Sequence, residues 1–336
     1  MKKYNVAIVG ATGAVGQELL KVLAERNFPV GELRLLASAR SAGKVVTYQG
    51  QEYTIGLTDE KAFAGIDIAL FAGGSASTEF AQAAVEAGAV VIDNSSAFRM
   101  DPAVPLVVPE VNPEDVDWHK GIIANPNCST IIMAVALKPL HDAAGIERVV
   151  VSTYQAVSGA GKEGITELSE QTGQVLRGEP VDPKVFAHPI AFNLIPHIDV
   201  FQDGDYTKEE WKMIKETRKI LHEADMRITA TTVRVPVYRS HSESLNIEFK
   251  RKITAAEAKE ILAKAPGVIV IDDVQNKQYP MPLYTSDKDE VFVGRIREDL
   301  SIDQGLNLWV VADQIRKGAA TNAIQIAEVL IQRNRI

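Results

Sequence analysis

The stretch Val6-Ala-Ile-Val-Gly-Ala-Thr-Gly-Ala-Val-Gly16 joins a short apolar run to a turn that contains three glycines. The segment that follows, 17–26, carries leucines at helical spacing, so the order is strand, glycine turn and helix. In dinucleotide-binding folds such glycines let the N–H groups at the helix start approach a pyrophosphate, whose charge the helix dipole also favours. The spacing GxxGxxG also fits a tight strand-to-helix turn without a ligand. In this context we interpret it as a cofactor turn.

The end of the next predicted strand, Leu33–Ser38, indicates which cofactor is bound. No acidic residue follows this strand where a ribose 2′-hydroxyl would be held. Arg40 stands there instead, with Ser38 and Ser41 beside it, and this combination suits a 2′-phosphate. We therefore expect NADP rather than NAD. The alternative is that Arg40 is a solvated loop charge.

Short apolar runs and a helical segment alternate through the rest of the first half, and several of the runs end in small or polar turns. This alternation predicts an α/β fold with an N-terminal, doubly wound, Rossmann-like NADP-binding domain whose ligands lie at the carboxyl ends of the strands. The predicted elements are strands at 66–71, 90–93, 106–108 and 121–124 and a helix at 78–87.

From Arg148 onward the predicted strands are longer and richer in β-branched residues, which indicates a second, α+β catalytic domain with an extended mixed or antiparallel sheet. The apolar pattern of 313–332 predicts a long helix that returns to the first domain. We therefore expect one domain at 1–128 plus 313–336 and a second at 129–312. The second domain's predicted strands are 149–155, 227–238, 244–249, 268–271, 291–296 and 306–311, and its helices are 164–176, 208–222 and 255–263.

Composition excludes several classes of protein. The chain has 336 residues, of which 46% are hydrophobic and 24% charged, values that fit neither disorder nor a membrane span. A net charge of −8 argues against general nucleic-acid binding. With one cysteine, no close histidine pair and no apolar leader, we expect a cytoplasmic protein without a metal site.

The single cysteine, Cys128, lies in Asn125-Pro-Asn-Cys-Ser-Thr130, between a predicted strand and a predicted helix, 131–140. A thiol at this point is near the positive end of the helix, which favours the thiolate. A small buried hydrophobic residue is the alternative interpretation. The polar turn around Cys128 is a poor setting for packing, so we expect a nucleophile.

A cysteine nucleophile needs a proton acceptor, and His241 is the histidine that we select. It ends the segment Arg234–His241, which bends at Pro236 and would bring Arg234 into the same cleft. A histidine on a surface strand is the alternative. Arginines such as Arg99 and Arg234 suit anionic substrates, because guanidinium groups bind carboxylates and phosphates in a fork. The loop at 158–162 is glycine-rich and suits close approach by the nicotinamide half of the cofactor.

Taken together and in this order, the motifs resemble those of the aspartate-β-semialdehyde dehydrogenase family. The resemblance covers nearly the whole chain. It is carried by the segments 10–16, 94–99, 125–130, 154–159, 209–212 and 234–241.

The resemblance implies a role for each matched residue. Cys128 would be the acyl-accepting nucleophile, His241 the general acid/base, and Gln155 would orient the thiohemiacetal. Substrates would be L-aspartate-β-semialdehyde and phosphate, and the product of phosphorolysis would be β-aspartyl phosphate. The family is typically a homodimer or a dimer of dimers with its interface on the second domain. The implied substrate-binding residues are Arg99, Asn127, Glu209 or its neighbour Glu210, Lys212 and Arg234. The implied NADP-binding residues are Thr12, Gly13, Ala14, Val15, Arg40, Ser41, Ser158, Gly159 and Gln314, and the glycine turn and the end of the second strand add Gly10, Gly16 and Ser38 to them.

Other functions remain open on the sequence. N-acetyl-γ-glutamyl-phosphate reductase and acyl-CoA reductase share the chemistry, although the former has a different turn around its cysteine. A non-catalytic NADP-binding protein leaves the arginines and His241 unexplained. A cysteine hydrolase has no use for the glycine turn.

Overall fold

A computed structural model describes residues 2–336, and these divide into two compact units. The first unit extends to Asn127 and resumes at Gly318–Ile336; the second is Cys128–Lys317. The unit boundaries therefore lie between 127 and 128 and between 317 and 318, where the sequence pattern predicts 128/129 and 312/313. The chain leaves the first unit once and returns to it at its end.

The first unit is built on a parallel sheet of six strands in the order β5-β2-β1-β6-β7-β8. Strand order reverses on either side of β1, as expected for a doubly wound sheet. A two-stranded hairpin, β3–β4, stands apart from it. The strands are β1 Tyr4–Val9, β2 Val30–Ala37, β3 Val45–Tyr48, β4 Gln51–Thr54, β5 Gly56–Leu57, β6 Ile68–Phe71, β7 Val90–Asp93 and β8 Ile122–Ala124, and the helices are α1 Ala14–Glu25, α2 Ala76–Glu86 and α8 Thr321–Gln332.

Apolar side chains from β1, β6, α1 and α8 form the core of this unit. Ile8 and Ile68 come from neighbouring central strands and are fully buried, because helices cover the parallel sheet. Leu19 of α1 and Ile324 of α8 belong to the same cluster. The C-terminal helix therefore completes the core of the unit that the N-terminal strand begins.

The second unit contains a mixed sheet of six strands in the order β10-β9-β11-β14-β13-β12. Its outer pairs, β10–β9 and β12–β13, are parallel, and the inner pairs are antiparallel. The extended mixed sheet predicted from the sequence is confirmed. The strands are β9 Ile146–Gln155, β10 Arg227–Arg234, β11 His241–Phe249, β12 Val268–Val270, β13 Val291–Glu298 and β14 Gly305–Ala312, and the helices are α3 Cys128–Ala144, α4 Gly161–Leu176, α5 Lys208–Ile220, α6 Ala255–Ala263 and α7 Pro282–Thr285.

The two faces of this sheet differ in burial. On β9, Val149, Val151 and Thr153 are buried, whereas the alternate residues Ser152 and Tyr154 are only half-buried. The buried face packs against α3, α5 and α6. No element of the second unit covers the other face to the same degree, so a half-exposed surface runs across the sheet.

Two predicted strands are shorter in the structure for identifiable reasons. Leu106–Val108 forms only an isolated bridge from Leu106 to Ala124, because the Asn112 amide accepts from Val108 N–H at 2.9 Å and donates to Leu106 O at 2.9 Å. The strand predicted to reach Tyr238 ends at Arg234. Pro236 has no N–H with which to continue the ladder.

The helix predicted at 313–332 begins eight residues later, at Thr321. Asp313 caps the turn before it, since one of its carboxylate oxygens accepts from the N–H groups of Ile315 at 2.9 Å and Arg316 at 3.1 Å. A short π-helical segment, Arg316–Ala320, then leads into α8. The hairpin β3–β4 was not predicted.

Within residues 2–336, no helix has the length and apolar character needed to cross a membrane.

Candidate active site

Cys128 is the first residue of α3 and is half-buried. The first turn of a helix exposes unpaired N–H groups and carries the positive end of the helix dipole, which stabilises a thiolate. The turn before it is held by side chains of the first unit: Asn322 Nδ2 donates to Asn125 Oδ1 at 2.7 Å, and Asn125 Nδ2 donates to Asn94 Oδ1 at 2.9 Å. Asn322 was not predicted from the sequence, where it is recognisable only as a polar residue in an otherwise apolar helix.

Three of the predicted site residues lie side by side at the end of the second sheet. Arg234 of β10 is paired with Gln155 of β9, and His241 begins β11, which runs antiparallel to β9. The N–H of Ala156, the residue after Gln155, donates to Nδ1 of His241 at 3.1 Å. All three side chains are buried, so the sheet brings an amide, a guanidinium and an imidazole together.

His241 is a neutral imidazole in this setting. Its side chain is fully buried, and burial together with the charge of Arg234 lowers its pKa to about 3, although Glu209 acts in the opposite direction. Because Nδ1 accepts from Ala156, the ring proton lies on Nε2. Nε2 has no hydrogen-bond partner among residues 2–336, which leaves it available to a substrate atom.

Arg234 is held with its charge in a buried position. Burial lowers its pKa, and the charges of Glu209 and Cys128 oppose that effect. Nη1 donates to Ala156 O at 2.7 Å, and the guanidinium carbon lies 5.8 Å from the centre of the Phe186 ring. A guanidinium that faces a thiol and a carboxylate at low dielectric is suited to binding a substrate carboxylate.

The two neighbouring glutamates at the start of α5 have different surroundings. Glu209 Oε1 accepts from Gln155 Nε2 at 3.1 Å, and Glu209 Oε2 pairs with Lys212 Nζ at 3.1 Å. Both Glu210 oxygens instead accept backbone N–H groups, from Thr207 at 2.7 Å in a capping box and from Thr232 at 2.9 Å. Glu209 therefore belongs to the polar cluster, and Glu210 holds the backbone.

Lys212 extends this cluster. Its Nζ also pairs with Asp199 at 2.9 Å. Burial alone would lower the pKa of Lys212, but the negative charges of Glu209 and Asp199 outweigh it and hold the pKa above its usual value. Lys212 is thus a charged ammonium.

The loop after β9 approaches the same residues. A Cβ atom added to Gly159 would lie 2.8 Å from Arg234 Nη1 and 3.6 Å from His241 Nε2. Ser158 Oγ accepts from Gln314 Nε2 at 2.5 Å, and Gln314 Oε1 accepts from Ser240 N–H. The structure therefore brings Ser158, Gly159 and Gln314 together with His241.

In the first unit, the glycine turn has the features of a phosphate cradle. Gly10 has φ of +84°, and a Cβ on Gly16 would lie 2.3 Å from Gly10 O, so a side chain at either position is disfavoured. Helix α1 begins directly after Gly13 without a side-chain cap and without an acid in its first turn. Thr12, Gly13 and Ala14 are exposed and Val15 is half-buried, which leaves the N-terminus of α1 suited to an anion.

The end of β2 lies near this turn. Thr12 Oγ1 and Ser41 Oγ are 3.5 Å apart, and Lys44 Nζ is 3.5 Å from Ser41 Oγ. Ser38 and Arg40 are exposed in the same loop. The structure therefore adds Lys44 to the candidate cofactor-binding residues. From the sequence alone, Lys44 is recognisable only as a cation in the same loop as Ser41.

Arg99 and Asn127 are also buried residues of the first unit. Arg99 Nε donates to Asn125 O at 3.0 Å and Nη2 donates to Asn94 O at 2.8 Å, so the carbonyls of two strand-end turns hold the guanidinium. In residues 2–336 no group of three or more His, Cys, Asp or Glu side chains is arranged to hold a metal ion.

Two protein-family models match the chain, and most of each match lies in one of the two units. Residues 5–119 match the model of the semialdehyde dehydrogenase NAD binding domain, and residues 137–317 match that of the semialdehyde dehydrogenase dimerisation domain. The first unit is therefore a nicotinamide-cofactor-binding domain, and the chain is an oxidoreductase.

Individual relatives match over almost the full chain. Aspartate-semialdehyde dehydrogenase of Aquifex aeolicus is 62% identical over 339 residues, covering 99% of both chains. The solved structure of aspartate semialdehyde dehydrogenase II from Vibrio cholerae complexed with ASA is 50% identical, with a TM-score of 0.94 over 99% of both chains. Aspartate semialdehyde dehydrogenase with NADP from Candida albicans is 27% identical, with a TM-score of 0.79 over 100% of both chains. The chain belongs to the aspartate-semialdehyde dehydrogenase family.

Proposed function

We propose that this protein catalyses the reversible, phosphate-dependent oxidation of L-aspartate-β-semialdehyde to β-aspartyl phosphate with NADP, the reverse direction serving biosynthesis of lysine, threonine, methionine and isoleucine. The observation that carries the proposal is the position of Cys128 at the start of α3, in the same unit as Gln155, Arg234 and His241. The family assignment selects this reaction over reduction of N-acetyl-γ-glutamyl phosphate or acyl-CoA thioesters.

Cys128 acts as the nucleophile. Its thiolate, favoured by the helix N-terminus, adds to the aldehyde carbon and forms a thiohemiacetal. NADP supplies the acceptor for the hydride that leaves this carbon, and the sulfur is then held in a thioester. Phosphate attacks the thioester carbonyl, the C–S bond breaks, and the thiolate is regenerated with release of the acyl phosphate.

His241 serves the oxygen of the reacting carbon. With its proton on Nε2, the ring donates to this oxygen as negative charge develops, and the proton returns to Nε2 as the carbonyl re-forms. This exchange is the acid/base role that we assign to His241. Gln155, at the neighbouring position of β9, orients the same tetrahedral species.

The remaining cluster selects the substrates. Arg234 binds the carboxylate of the amino acid through its guanidinium fork, and Glu209 binds the ammonium group. Lys212, Arg99 and Asn127 bind phosphate. Glu210 takes no part, because both its oxygens already accept backbone N–H groups.

The cofactor proposal is NADP, held by Gly10–Gly16, Ser38, Arg40, Ser41, Ser158, Gly159 and Gln314. The uncapped N-terminus of α1 fits a pyrophosphate, and the exposed Arg40 fits a 2′-phosphate. Lys44, next to Ser41, adds a second cation to the 2′-phosphate site.

We also propose a homodimer, or a dimer of dimers, that forms through the half-exposed face of the second sheet. Ser152 and Tyr154 of β9, Ser244 of β11 and Trp309 of β14 all lie on this face, and the Tyr154 and Trp309 ring centres are 5.4 Å apart. Aromatic and small polar residues of this kind suit a subunit interface. A single, half-buried cysteine suits a reducing compartment, so we place the enzyme in the cytoplasm.

The test follows NADPH formation from L-aspartate-β-semialdehyde with and without phosphate, in the wild-type protein and in Cys128→Ser. We expect phosphate-dependent turnover that the variant loses while it still binds NADP. Mass spectrometry of wild-type protein incubated with substrate and NADP without phosphate is expected to find the acyl group on Cys128. Turnover that is independent of phosphate, or a fully active Cys128→Ser, would contradict the proposal.

A further inference from the structure

Ser240, the residue before His241, has an unusual backbone conformation. It is fully buried and has φ of +70°, in the left-handed region that residues other than glycine, asparagine and aspartate seldom occupy. Its N–H donates to Gln314 Oε1 at 2.9 Å, and its hydroxyl lies 3.0 Å from Ser286 Oγ. Such a conformation persists only where the surroundings hold it.

Gln314 connects this turn to the loop after β9. Its amide is buried, Oε1 accepts from Ser240 N–H, and Nε2 donates to Ser158 Oγ at 2.5 Å. A second link lies beside the first, since Arg239 Nε pairs with Asp313 Oδ2 at 2.5 Å. The two segments 239–240 and 313–314 are thus joined by side chains just beyond the pair His241 and Ala312, where the β11–β14 ladder ends.

The Gln314 amide therefore holds one serine at each end. Each serine is adjacent in sequence to one of two residues that face each other, His241 and Gly159. Ser240 precedes His241, and Ser158 precedes Gly159, whose added Cβ would lie 3.6 Å from His241 Nε2. A shift of either neighbour changes the separation between the imidazole and the loop. It also changes the distance from Ala156 N–H to Nδ1, on which the position of the ring proton depends.

We propose that Gln314 is a positioning residue for the reaction: its side-chain amide holds Ser240 in the left-handed conformation and thereby places His241 against the Ser158–Gly159 loop. This role is distinct from cofactor binding, which the family resemblance assigns to the same residue. The inference rests on the proposed acid/base role of His241.

The test replaces Gln314 with methionine, which keeps the length of the side chain and removes both hydrogen bonds. We expect kcat at saturating NADP to fall by about 10- to 100-fold, because a small displacement of a catalytic group has effects of this size. The KM for NADP is expected to rise as well, because Gln314 also belongs to the proposed cofactor site, but loss of cofactor binding alone would leave kcat at saturating NADP unchanged. In protein labelled with ¹⁵N-histidine, the Nδ1 and Nε2 signals of His241 are expected to move as the Ala156 hydrogen bond weakens.

Gln171→Met is the matched control. Gln171 is equally buried in the same unit, and its Oε1 accepts two backbone N–H groups, from Ile190 at 2.8 Å and Ala191 at 3.2 Å. We expect this variant to lose stability and to keep both kcat and the His241 signals. A Gln314→Met protein in which only the KM for NADP rises, with unchanged His241 signals, would overturn the inference and leave the proposed function intact. A Cys128→Ser protein that turns over would overturn the function itself.

Discussion

Gln155 donates a hydrogen bond from Nε2 to Oε1 of Glu209 over 3.1 Å, and this bond ties the end of β9 to the first turn of α5. The orientation of the amide is determined by its other end, because Thr153 Oγ1 donates to Gln155 Oε1 at 3.0 Å. Glu209 is thereby held among the groups that we assign to the reaction. Its neighbour Glu210 is directed to the backbone instead.

Replacement of the two glutamates by glutamine should separate binding from stability. We expect Glu209→Gln to raise the KM for L-aspartate-β-semialdehyde at least about tenfold, because the charge opposite the substrate ammonium is lost. Glu210→Gln should leave this KM unchanged and lower the free energy of unfolding by roughly 1–2 kcal/mol, since an amide NH₂ replaces an acceptor of a backbone N–H. Steady-state kinetics and urea unfolding measure the two effects. The opposite pattern would transfer the substrate role to Glu210.

Gly159→Ala should impair catalysis by steric displacement. The new Cβ would lie 2.8 Å from Arg234 Nη1 and 3.5 Å from His241 Cε1, so the guanidinium must move. We expect kcat/KM to fall by about 10- to 100-fold with little change in the unfolding midpoint.

Gly173→Ala in α4 is the control for this substitution. Its Cβ would meet only the flexible end of the exposed Arg177 side chain, at 3.0 Å. We expect full activity and a gain in stability of up to about 1 kcal/mol from helix propensity. Equal activity of the two variants would show that the loop does not constrain Arg234.

Glu243 should make stability depend on pH. It is fully buried in β11, neither carboxyl oxygen has a hydrogen-bond partner in the described part of the chain, and burial raises its pKa well above the usual value. Because the folded-state pKa exceeds the unfolded value of 4.5, its contribution to stability is present below pH 4.5 and is lost as pH rises toward the folded-state pKa.

Glu243→Gln removes this titration while keeping the shape of the neutral acid. We expect the variant to be more stable than wild type by roughly 1–3 kcal/mol at pH 8, with a smaller difference at pH 5, as measured by urea unfolding. Glu260→Gln, at an exposed position of α6, should show no such trend. A difference that shrinks as pH rises would contradict the prediction.

Arg40→Ala should change cofactor preference. Loss of the guanidinium removes a partner of the 2′-phosphate and no partner of NAD, so we expect the KM for NADP to rise at least about tenfold and activity with NAD to stay the same. Lys61→Ala removes an exposed cation elsewhere in the same unit and should alter neither value. Equal loss with both cofactors would mean that Arg40 acts on the fold instead.

Ser152→Arg should weaken the proposed subunit interface. Ser152 pairs with Ser244 on the half-exposed face of the second sheet, and an arginine there would bring a charge into a buried contact. We expect sedimentation equilibrium to show a dimer for wild type and an increased monomer fraction for the variant. Glu260→Arg, on a helix of the opposite face, should remain dimeric.

Local pattern was sufficient for much of the fold. Helix α5 and the strands β9 and β14 follow from apolar periodicity and β-branched runs, because these depend on which face of an element is buried. The failures occurred where a side chain or an irregular turn interrupted the regular element. Asn112 takes the backbone groups that would make 106–108 a strand, and the π-helical segment Arg316–Ala320 replaces the first turns of the predicted C-terminal helix.

The candidate site shows the same division. Cys128 and the glycine turn were identifiable because their residue types are constrained by strand-to-helix junctions. Lys44 and Glu243 were not, since a loop cation and a strand glutamate read as solvated charges. Nothing in the local sequence indicates that Lys44 lies beside Ser41 or that Glu243 is fully buried.

By itself the sequence determined the class of the two domains, the family and the candidate residues for each role, with Cys128 as the proposed nucleophile. Only the tertiary structure placed Glu209 in the polar cluster and Glu210 against the backbone, placed the His241 proton on Nε2 and joined Gln314 to Ser240. The physical reason is that periodicity and turn chemistry act between residues near in sequence. Hydrogen bonds such as those of Gln155 with Glu209 and of Ala156 with His241 join residues 54 and 85 positions apart.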